Sequence, residues 1–474
     1  MNRTDLCFQS CVATRDAIAG GDVSAVDVLE AFVDRIERLN PKVNAYCTLT
    51  LEAAREQAEA ADRRVRAGEP LPPLNGVPVS IKDLMPVAGV RTTYGSKIYE
   101  HHVPTETDVA AGRLVAAGAV VLGKTNTPEF GYGGITDNAV FGPTLNPWDL
   151  GRTPGGSSGG AGASVAAGMG PLALGSDGGG SIRHPACFCG VVGLKPQFGR
   201  VPAHPRLGVL GETLSQHGPL ARHVEDVVLA MDVIAGPDPR DRHSLPAPGV
   251  SYLDALSSPG GPPAKLDVAF LPRLGYAKAV DPDVEKLVRD AVAKFEELGW
   301  RVDEPRFRLR NPEPCFYALW TAMYAHDLGP KLKNWRDRMD PNLVKLVEAG
   351  STATAVDLAR ATAERRRLYD SVARLLAEYD LLVTPTTAVP AFEVGRMFPE
   401  QVAGRNVSPT GWMPFTFPFN LTGHPAVTLP AGFAPGNLPV GVQLVGRRYD
   451  EVTVLRAARA YEGVAGWQDA RPPL

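Results

Sequence analysis

Short apolar segments alternate with helical segments in this chain, and that alternation limits the folds it can adopt. Residues 77–81 alternate apolar and polar side chains as a half-buried strand does, with Lys82 at the strand's end. Residues 107–118 are typical of a helix, and residues 119–122 (AVVL) indicate a second short strand. A strand, a helix and a strand in this order favour a largely parallel sheet covered by helices. The sequence therefore predicts an α/β fold.

Helical patterns occupy the first 67 residues and recur in the second half of the chain. Ser24 can cap a helix whose apolar residues fall along one stripe: Val28, Phe32, Val33, Ile36 and Leu39. We predict further helices at 51–67, 157–168, 282–298, 355–379 and 451–463. We predict further strands at 171–177, 300–302, 381–386 and 440–446.

One segment is rich enough in Pro and Gly to be an internal linker. Residues 257–266 (SSPGGPPAKL) separate a glycine-rich first half from a more helical second half. Large α/β enzymes often run to this length as one unit. We therefore interpret residues 1–474 as a single domain with a helical N-terminal segment at 1–67 and a candidate linker at 257–266.

Charge and composition exclude several classes of partner. The 474 residues carry 49 Lys and Arg against 52 Asp and Glu, a net charge of -3. That balance provides no electrostatic footprint for nucleic acid or an anionic membrane. We expect a small-molecule substrate and no nucleic-acid or membrane partner, and the sequence is compatible with a homo-oligomer.

The start of the chain and its cysteines point to the cytoplasm. The opening MNRTDLCFQS lacks the apolar core of a secretory signal, and no apolar stretch approaches the roughly 20 residues that span a bilayer. The six cysteines form no CxxC motif, so we expect reduced thiols. A cytoplasmic location is the expectation.

Metal and nucleotide chemistry find no support in the motifs. No HExxH or similar pairing occurs among the nine histidines, and His101 and His102 are adjacent, so they face apart in a strand. Neither GGSSGGAGAS nor GSDGGGSIR has the GK[ST] ending of a phosphate-binding loop, and no GxGxxG opens a helix here. We expect no cofactor and no metal.

Ser157 lies in a formal match to the nucleophile elbow of α/β-hydrolases. Residues 155–159 read GGSSG, which fits GxSxG. An elbow follows a buried strand, whereas NPWDLGRTP before this serine contains two prolines and no apolar run. An esterase that uses Ser157 in this way stays open as an alternative.

Lys82 suggests a different way to activate a serine. A hydroxyl becomes a nucleophile when a neighbouring base takes its proton, and a lysine can be that base only when it is uncharged. Burial at the end of an apolar strand lowers a lysine pKa from its ordinary value of about 10.4. Asp83 follows directly, but successive strand residues point to opposite faces, so its carboxylate need not hold Lys82 protonated.

Several ordered motifs resemble the bacterial amidases of the amidase signature family of serine hydrolases. They are GVPVSIKD, NTPEFGYGGITDNAVFGPTLNPW, TPGGSSGGAGAS, GSDGGGSIRHPACFCGVVGLKP, FTFPFNLTGHPAVTLPAG and LPVGVQLVGR, which together extend over nearly the whole chain. The resemblance implies one large domain with a central mixed, largely parallel twisted sheet covered by helices on both faces. It also implies an amidohydrolase that acts on linear amides through an acyl-enzyme.

The resemblance assigns a role to each reacting side chain. Ser181 is the nucleophile, Ser157, 24 positions earlier, relays its proton, and Lys82 accepts it. A cis peptide is implied between Gly156 and Ser157. The amides of four consecutive residues would form an oxyanion hole: Gly178, Gly179, Gly180 and Ser181.

Other residues of the motifs would surround this set. Asp177 and Arg183 are expected to be structural partners, and the substrate would lie against Gly131, Tyr132 and Gly133. Many relatives carry Thr or Ile at the position of Gly178, which predicts a more open oxyanion hole here.

The acyl group is not fixed by these motifs. A carbamate (urethane) hydrolase and the glutaminase subunit of a tRNA-dependent amidotransferase are alternatives within the same resemblance. Glutamine-handling relatives commonly carry an acidic residue just before T-x-P-x-N-L, where this chain has Met413.

Overall fold

One sheet of eleven strands organises the described part of the computed structural model, residues 3–209, 211–257, 263 and 265–474. The described residues contain these eleven strands and two more that form a separate pair: β1 Tyr46–Leu49, β2 Pro78–Lys82, β3 Val120–Thr125, β4 Leu172–Asp177, β5 Val192–Lys195, β6 Gln216–Ala221, β7 Asp267–Phe270, β8 Arg301–Asp303, β9 Leu381–Pro385, β10 Gln401–Val402, β11 Arg405–Asn406, β12 Ala426–Ala434 and β13 Leu438–Gly446. Their order across the sheet is β1-β3-β2-β4-β6-β5-β12-β13-β9-β7-β8, and β10 pairs separately with β11.

Helices connect and cover these strands. Among the described residues the α-helices are α1 Arg3–Leu6, α2 Cys11–Gly20, α3 Ala25–Val43, α4 Leu51–Ala67, α5 Val109–Ala116, α6 Gly159–Ala166, α7 Arg183–Cys189, α8 Val224–Ile234, α9 Tyr252–Ser257, α10 Pro282–Glu297, α11 Glu313–Leu328, α12 Leu332–Trp335, α13 Pro341–Gly350, α14 Ala355–Glu378, α15 Phe417–Thr422 and α16 Glu451–Ala465. Short 3₁₀ turns lie at Lys97–Tyr99, Glu129–Gly131, Gly329–Lys331 and Arg336–Arg338. No helix of the described residues is both long and apolar enough to cross a membrane.

The sheet is mixed, as predicted, but parallel pairs do not predominate. Of its ten neighbouring strand pairs, four are parallel: β3 with β2, β2 with β4, β9 with β7, and β7 with β8. The other six are antiparallel and include every pair from β4 to β9 through the centre. A short connection can join only antiparallel neighbours, and residues 435–437 join β12 to β13 in this way.

Helices cover both faces of the sheet. Along β4, Leu172 and Leu174 belong to one hydrophobic core and Ala173 to another. Successive strand residues point to opposite faces, so these cores lie on the two sides of the sheet. One contains residues of α5, α8, α10 and α16, and the other contains residues of α3, α4 and α6.

The predicted N-terminal helices are confirmed. Ser24 caps α3 by accepting a hydrogen bond from the amide of Asp27, and the predicted apolar stripe of that helix is buried. The helix predicted at 51–67 is α4, with the same bounds. Most of the linker predicted at 257–266 lies outside the described residues, because 258–262 and 264 are not described, so it stays a prediction.

Parallel pairing brings two of the predicted site segments to one edge of the sheet. The parallel neighbours β2 and β4 end at Lys82 and Asp177, and the carboxyl ends of parallel strands meet at the same edge. The triple glycine and Ser181 follow β4 directly. All five residues of β2 are buried, Lys82 included, which differs from the half-buried strand predicted.

Candidate active site

Lys82 points into a cluster of serine hydroxyls. Its Nζ lies 2.7 Å from Ser157 Oγ, 2.9 Å from Ser158 Oγ and 3.1 Å from Ser176 Oγ. Its side chain is fully buried, and burial lowers the Lys82 pKa well below the ordinary lysine value, against the opposing charge of Asp177. Among the described residues no carboxylate lies within ion-pair distance of Nζ. This environment favours the uncharged amine.

Burial alone does not distinguish Lys82 from the other lysines in the core. Lys195 is also fully buried with a lowered pKa, but its Nζ donates to the backbone carbonyls of Pro196 and His424. The Nζ of Lys124 lies 3.5 Å from Asp83, so Asp83 pairs with that lysine and not with Lys82. The hydroxyl contacts are therefore the feature that marks Lys82.

The structure places Ser157 at the start of α6 and not at an elbow. The peptide between Gly156 and Ser157 is cis, as the resemblance implied. The residues just before Ser157 are irregular and no strand leads into it, so the α/β-hydrolase alternative is wrong. The closest polar neighbour of the Ser157 hydroxyl is the Lys82 amine, whereas the base in an α/β-hydrolase is a histidine.

The three glycines before Ser181 pack directly beneath larger side chains. A Cβ at Gly178 would lie 2.9 Å from the Trp320 ring, and one at Gly179 would lie 2.9 Å from the Phe316 ring. The φ of Gly180 is +137°, and a Cβ there would lie 2.1 Å from His184 Nε2. The predicted opening above Gly178 is therefore wrong, because Trp320 fills that space.

One of the four predicted oxyanion donors is already engaged. The Gly180 amide donates to Asp177 Oδ1 at 2.8 Å, so it is not free to bind a carbonyl oxygen. The predicted oxyanion hole is corrected on this point. Among the described residues, the amides of Gly178, Gly179 and Ser181 have no hydrogen-bond acceptor.

Asp177 and Arg183 form a buried ion pair that holds this loop. Arg183 donates through Nε and Nη2 to the two carboxylate oxygens, each at 2.9 Å. Although burial raises the Asp177 pKa, the Arg183 charge and its hydrogen bonds lower that pKa well below the ordinary range. The remaining Arg183 donors reach Thr416 O, Gln443 Oε1 and Asn420 Oδ1, so all five guanidinium donors are satisfied.

His184 and Thr416 support the same loop from behind. Thr416 Oγ1 donates to the Gly179 carbonyl at 2.8 Å and lies 2.7 Å from His184 Nε2. Burial lowers the His184 pKa to about 3, so the ring is uncharged at neutral pH. Because the threonine proton goes to Gly179, the imidazole donates to Thr416. The glycine backbone is thus fixed on both sides.

Comparison with known proteins agrees with this geometry. The family model described as Amidase matches residues 27–455. The chain belongs to the amidase signature family. It is 39% identical to an acylamidase of Rhodococcus erythropolis, over 100% of this chain and 98% of that protein. It is 38% identical to a glutamyl-tRNA(Gln) amidotransferase subunit of Carboxydothermus hydrogenoformans, over 99% of this chain and 100% of that protein.

The fold leads to the same family. A bacterial aryl acylamidase of the amidase signature family superposes with a TM-score of 0.89 at 29% identity, over 98% of this chain and 99% of that chain. The predicted fold class and reaction are confirmed: this amidase signature enzyme is an amidohydrolase that cleaves the carbon–nitrogen bond of amides.

Two clefts of the amidase meet at Gly131, Ser181 and Trp320. The polar cleft, of ≈ 740 Å³, is lined by Leu84, Tyr94, Asp108, Phe130, Gly131, Ser157, Ser176, Gly178, Ser181, Pro205, Arg206, Leu207, Gly211, Ser215, His217, Trp320 and Tyr324. The aromatic cleft, of ≈ 700 Å³, is lined by Gly131, Tyr132, Gly133, Gly134, Gly179, Ser181, His184, Phe316, Tyr317, Trp320, Leu346, Met397, Phe398, Pro409, Thr410, Trp412 and Met413. The predicted substrate residues Gly131, Tyr132 and Gly133 thus lie on cleft walls.

Sequence reasoning missed the helix that covers the amidase site. Phe316, Trp320 and Tyr324 of α11 are spaced four residues apart, and successive rings lie 5.2 Å apart. Side chains with this spacing share one helix face. An aromatic repeat at i, i+4 and i+8 was the available signal. Ser158 and Ser176 were also missed, because only the fold brings them to Lys82.

Proposed function

We propose that this enzyme hydrolyses amides through Ser181 as nucleophile, Ser157 as proton relay and uncharged Lys82 as base. The observation that carries the proposal is the buried Nζ of Lys82, 2.7 Å from Ser157 Oγ. Ser157 and Ser181 line the same cleft, and the Ser158 amide donates to the Ser181 carbonyl at 3.0 Å. The nucleophile and the base thus belong to one connected site.

If the amine is uncharged, as proposed, its other hydrogen bonds leave Ser157 as the proton donor to the lysine. An uncharged amine has two N–H groups and one lone pair. Ser158 donates its proton to the Ser176 carbonyl, so its hydroxyl oxygen accepts one Nζ–H. Ser176 Oγ accepts the other at 3.1 Å. The Nζ lone pair then faces Ser157, whose hydroxyl donates to it.

Acyl transfer follows from this arrangement. Ser181 Oγ attacks the carbonyl carbon while its proton passes to Ser157, and the proton of Ser157 passes to Lys82 Nζ. The carbon–nitrogen bond breaks as the proton returns by the same route to the departing nitrogen. Water then attacks the Ser181 ester and releases the acid, so one amide and one water give one acid and one amine.

In this mechanism three backbone amides bind the developing oxyanion. They are those of Gly178, Gly179 and Ser181, since the Gly180 amide donates to Asp177. Removing one such donor typically costs about 10²- to 10³-fold in rate. The ion pair and the His184–Thr416 contact hold these amides in place before substrate arrives.

The clefts favour a substrate with an aromatic or other bulky apolar group. Phe316, Trp320 and Trp412 line the aromatic cleft beside Ser181. A carbamate presents the same carbonyl to the same three side chains, so carbamates belong in the substrate panel.

Glutamine is the second candidate substrate, because the amidotransferase subunit named above is 38% identical to this chain. Met413 opposes it: the residue lines the aromatic cleft where an acidic side chain would meet an amino group. We therefore place amides with apolar groups ahead of glutamine.

A cytoplasmic location is part of the proposal. All six cysteines are free in the structure, and five of them are buried. Unpaired thiols are usual in a reducing compartment.

Substitution of the nucleophile tests the proposal. Ser181→Ala should abolish turnover of nitroanilides and carbamates and remove the fluorophosphonate adduct from the intact mass spectrum, while circular dichroism stays unchanged. Ser351→Ala, at an exposed serine, is the matched control. Undiminished activity or labelling in Ser181→Ala would refute the assignment.

A further inference from the structure

Two polar side chains of the polar cleft have no part in the mechanism proposed above. Asp108 lies just before α5 and His217 lies in β6, and both line the cleft with Ser157 and Ser181. His217 Nδ1 is 3.5 Å from Asp108 Oδ2, with 13% of the histidine side chain and 1% of the aspartate side chain exposed. The pair is thus nearly buried, yet it lines the same cleft as Ser157 and Ser181.

The helix fixes the carboxylate, and the carboxylate orients the ring. Asp108 Oδ1 accepts the amides of Ala110 and Ala111 at the start of α5, at 3.0 and 3.2 Å. Among the described residues neither Asp108 Oδ2 nor His217 Nδ1 has a hydrogen bond, so each is available to the other. A carboxylate beside one ring nitrogen places the N–H there and leaves the other nitrogen as an acceptor. Nε2 is therefore the ring nitrogen left to accept from a ligand.

His217 is close to the reacting side chains. It pairs directly with Ser176 across β4 and β6, and opposed residues project from the same face with Cβ atoms about 4.5 to 5.5 Å apart. Ser176 Oγ lies 3.1 Å from Lys82 Nζ. A group bound by His217 would thus belong to the molecule whose amide reaches Ser181.

The positively charged side chains near the cleft, Arg206 and Lys124, bind other groups and leave His217 Nε2 free to accept. Arg206 also lines the cleft, but its Nε donates to the Ala203 carbonyl at 3.1 Å and its Nη2 lies 3.5 Å from Asp241. Lys124 pairs with Asp83. The aromatic cleft has no comparable carboxylate and imidazole pair along its described walls.

We propose that His217, held by Asp108, forms a subsite that binds a hydroxyl or amine N–H of the substrate beyond the amide being cleaved. His217 is the specificity residue that contacts the substrate, and Asp108 is a positioning residue that acts through the ring. The inference rests on the proposed function, because it assumes that the amide lies at Ser181. It narrows the substrate class to amides with a donor group on the side that enters the polar cleft.

Paired substrates test the subsite. We compare kcat/KM within two pairs of anilides. The members of a pair differ only by a hydroxyl in place of a methyl group, which lies on the acyl side in one pair and on the amine side in the other. We expect the hydroxyl to be preferred by about tenfold on one side, as one net hydrogen bond allows. His217→Leu should bring that ratio to about one. His326→Leu, at a 70% exposed histidine 3.9 Å from Asp327, should keep the wild-type ratio.

A second variant tests whether His217 binds the substrate or only supports the cleft wall. Asp108→Asn keeps an oxygen to cap α5 but places an amide NH₂ against Nδ1, which favours the tautomer with N–H on Nε2. A keto oxygen can only accept, so the wild-type ring cannot bind it, whereas the variant ring can; we expect a substrate with a keto oxygen at the same position to gain kcat/KM relative to the hydroxyl substrate in Asp108→Asn. Loss of packing alone would not favour the keto substrate in particular, and thermal unfolding of both variants reports whether they fold.

Each outcome decides for or against the subsite. The subsite is overturned if the wild-type enzyme is active but shows no hydroxyl preference on the acyl side or on the amine side. It is also overturned if His217→Leu lowers kcat/KM equally for both members of a pair. Neither result affects the Ser181 assignment. A wild-type enzyme inactive on every anilide and carbamate overturns the proposed function, and the subsite with it.

Discussion

At the scale of single residues, the proposed mechanism depends on an uncharged Lys82 and on three glycines without side chains before Ser181. Lys82 is buried among hydroxyls with no carboxylate partner in the described structure, so its proton is easily lost. Gly178, Gly179 and Gly180 leave room for Trp320, Phe316 and His184: the backbone approaches these side chains closely, which a Cβ would prevent. The glycine triplet is therefore a packing requirement as well as a source of free amides.

Gly180→Ala tests that requirement. The φ of +137° strains any other residue, and the new Cβ would lie 2.1 Å from His184 Nε2. We expect kcat/KM to fall about 10²- to 10³-fold, because the displaced loop carries the oxyanion donors. Gly463→Ala in α16, where a Cβ meets nothing within 4 Å, is the control. Wild-type turnover in Gly180→Ala would show that the loop geometry is not required.

The sequence allowed the proposed catalytic residues to be named, but not the contacts of their neighbours. Lys82, Ser157 and Ser181 stand in motifs that resemble a known family, so their numbers could be read directly. Two contacts could not be read from the sequence: the Gly180 amide donates to Asp177, and Trp320 fills the space above Gly178. Both depend on which atoms the folded chain brings into contact, and no spacing in the sequence encodes that.

At the scale of elements, the Asp177–Arg183 ion pair joins the end of β4 to α7 and α15. Asn420 of α15 donates to Asp177 and accepts from Arg183, so three elements share one buried polar network. Removing one partner of a buried pair typically costs about 3 to 5 kcal/mol, because it leaves the other charge uncompensated.

Asp177→Asn should therefore lower the free energy of unfolding by about 3 to 5 kcal/mol, measured by chemical denaturation. Asp290→Asn, in an exposed pair with Lys286, should change it by less than about 1 kcal/mol. Because the folded pKa of Asp177 is lowered, its contribution is present above the ordinary pKa of about 3.9 and is lost as the pH falls below that value. Equal effects of the two variants would contradict the account.

Element prediction succeeded where the pattern was local. The helices α3 and α4 have clear stripes and caps, and both were predicted. The helix α11 was missed because its aromatic face is turned towards the clefts while other faces of the helix also carry apolar residues. The strand β12 was missed because its residues read as a Pro-rich region, and it forms two of the antiparallel pairs at the centre of the sheet, with β5 and β13.

At the scale of the whole molecule, one continuous sheet supports all three residues of the proposed catalytic set. Lys82, Ser157 and Ser181 all come from this chain, and both clefts are formed by its own residues. The α/β class and the mixed sheet could be predicted, whereas the strand order could not, because neighbours such as β5 and β12 are more than 200 residues apart in sequence. Long-range pairing leaves little local signal in a single sequence.

The purified chain should consequently hydrolyse simple amides without added subunits. We expect turnover of nitroanilides by the isolated protein and no gain on adding the other subunits of a tRNA-dependent amidotransferase. Glutamine should be a poorer substrate than the nitroanilides, and Met413→Asp should raise kcat/KM for glutamine relative to that for the nitroanilide. Strict dependence on added subunits would favour the amidotransferase instead.

The charge of Lys82 is the point on which the mechanism depends, and it can be measured directly. The ¹⁵Nζ resonance of lysine-labelled protein, assigned by its loss in Lys82→Met, is followed against pH by NMR. The account predicts that burial makes this amine lose its proton well below the ordinary lysine pKa of about 10.4. A Lys82 that remains an ammonium up to about pH 10 would contradict it.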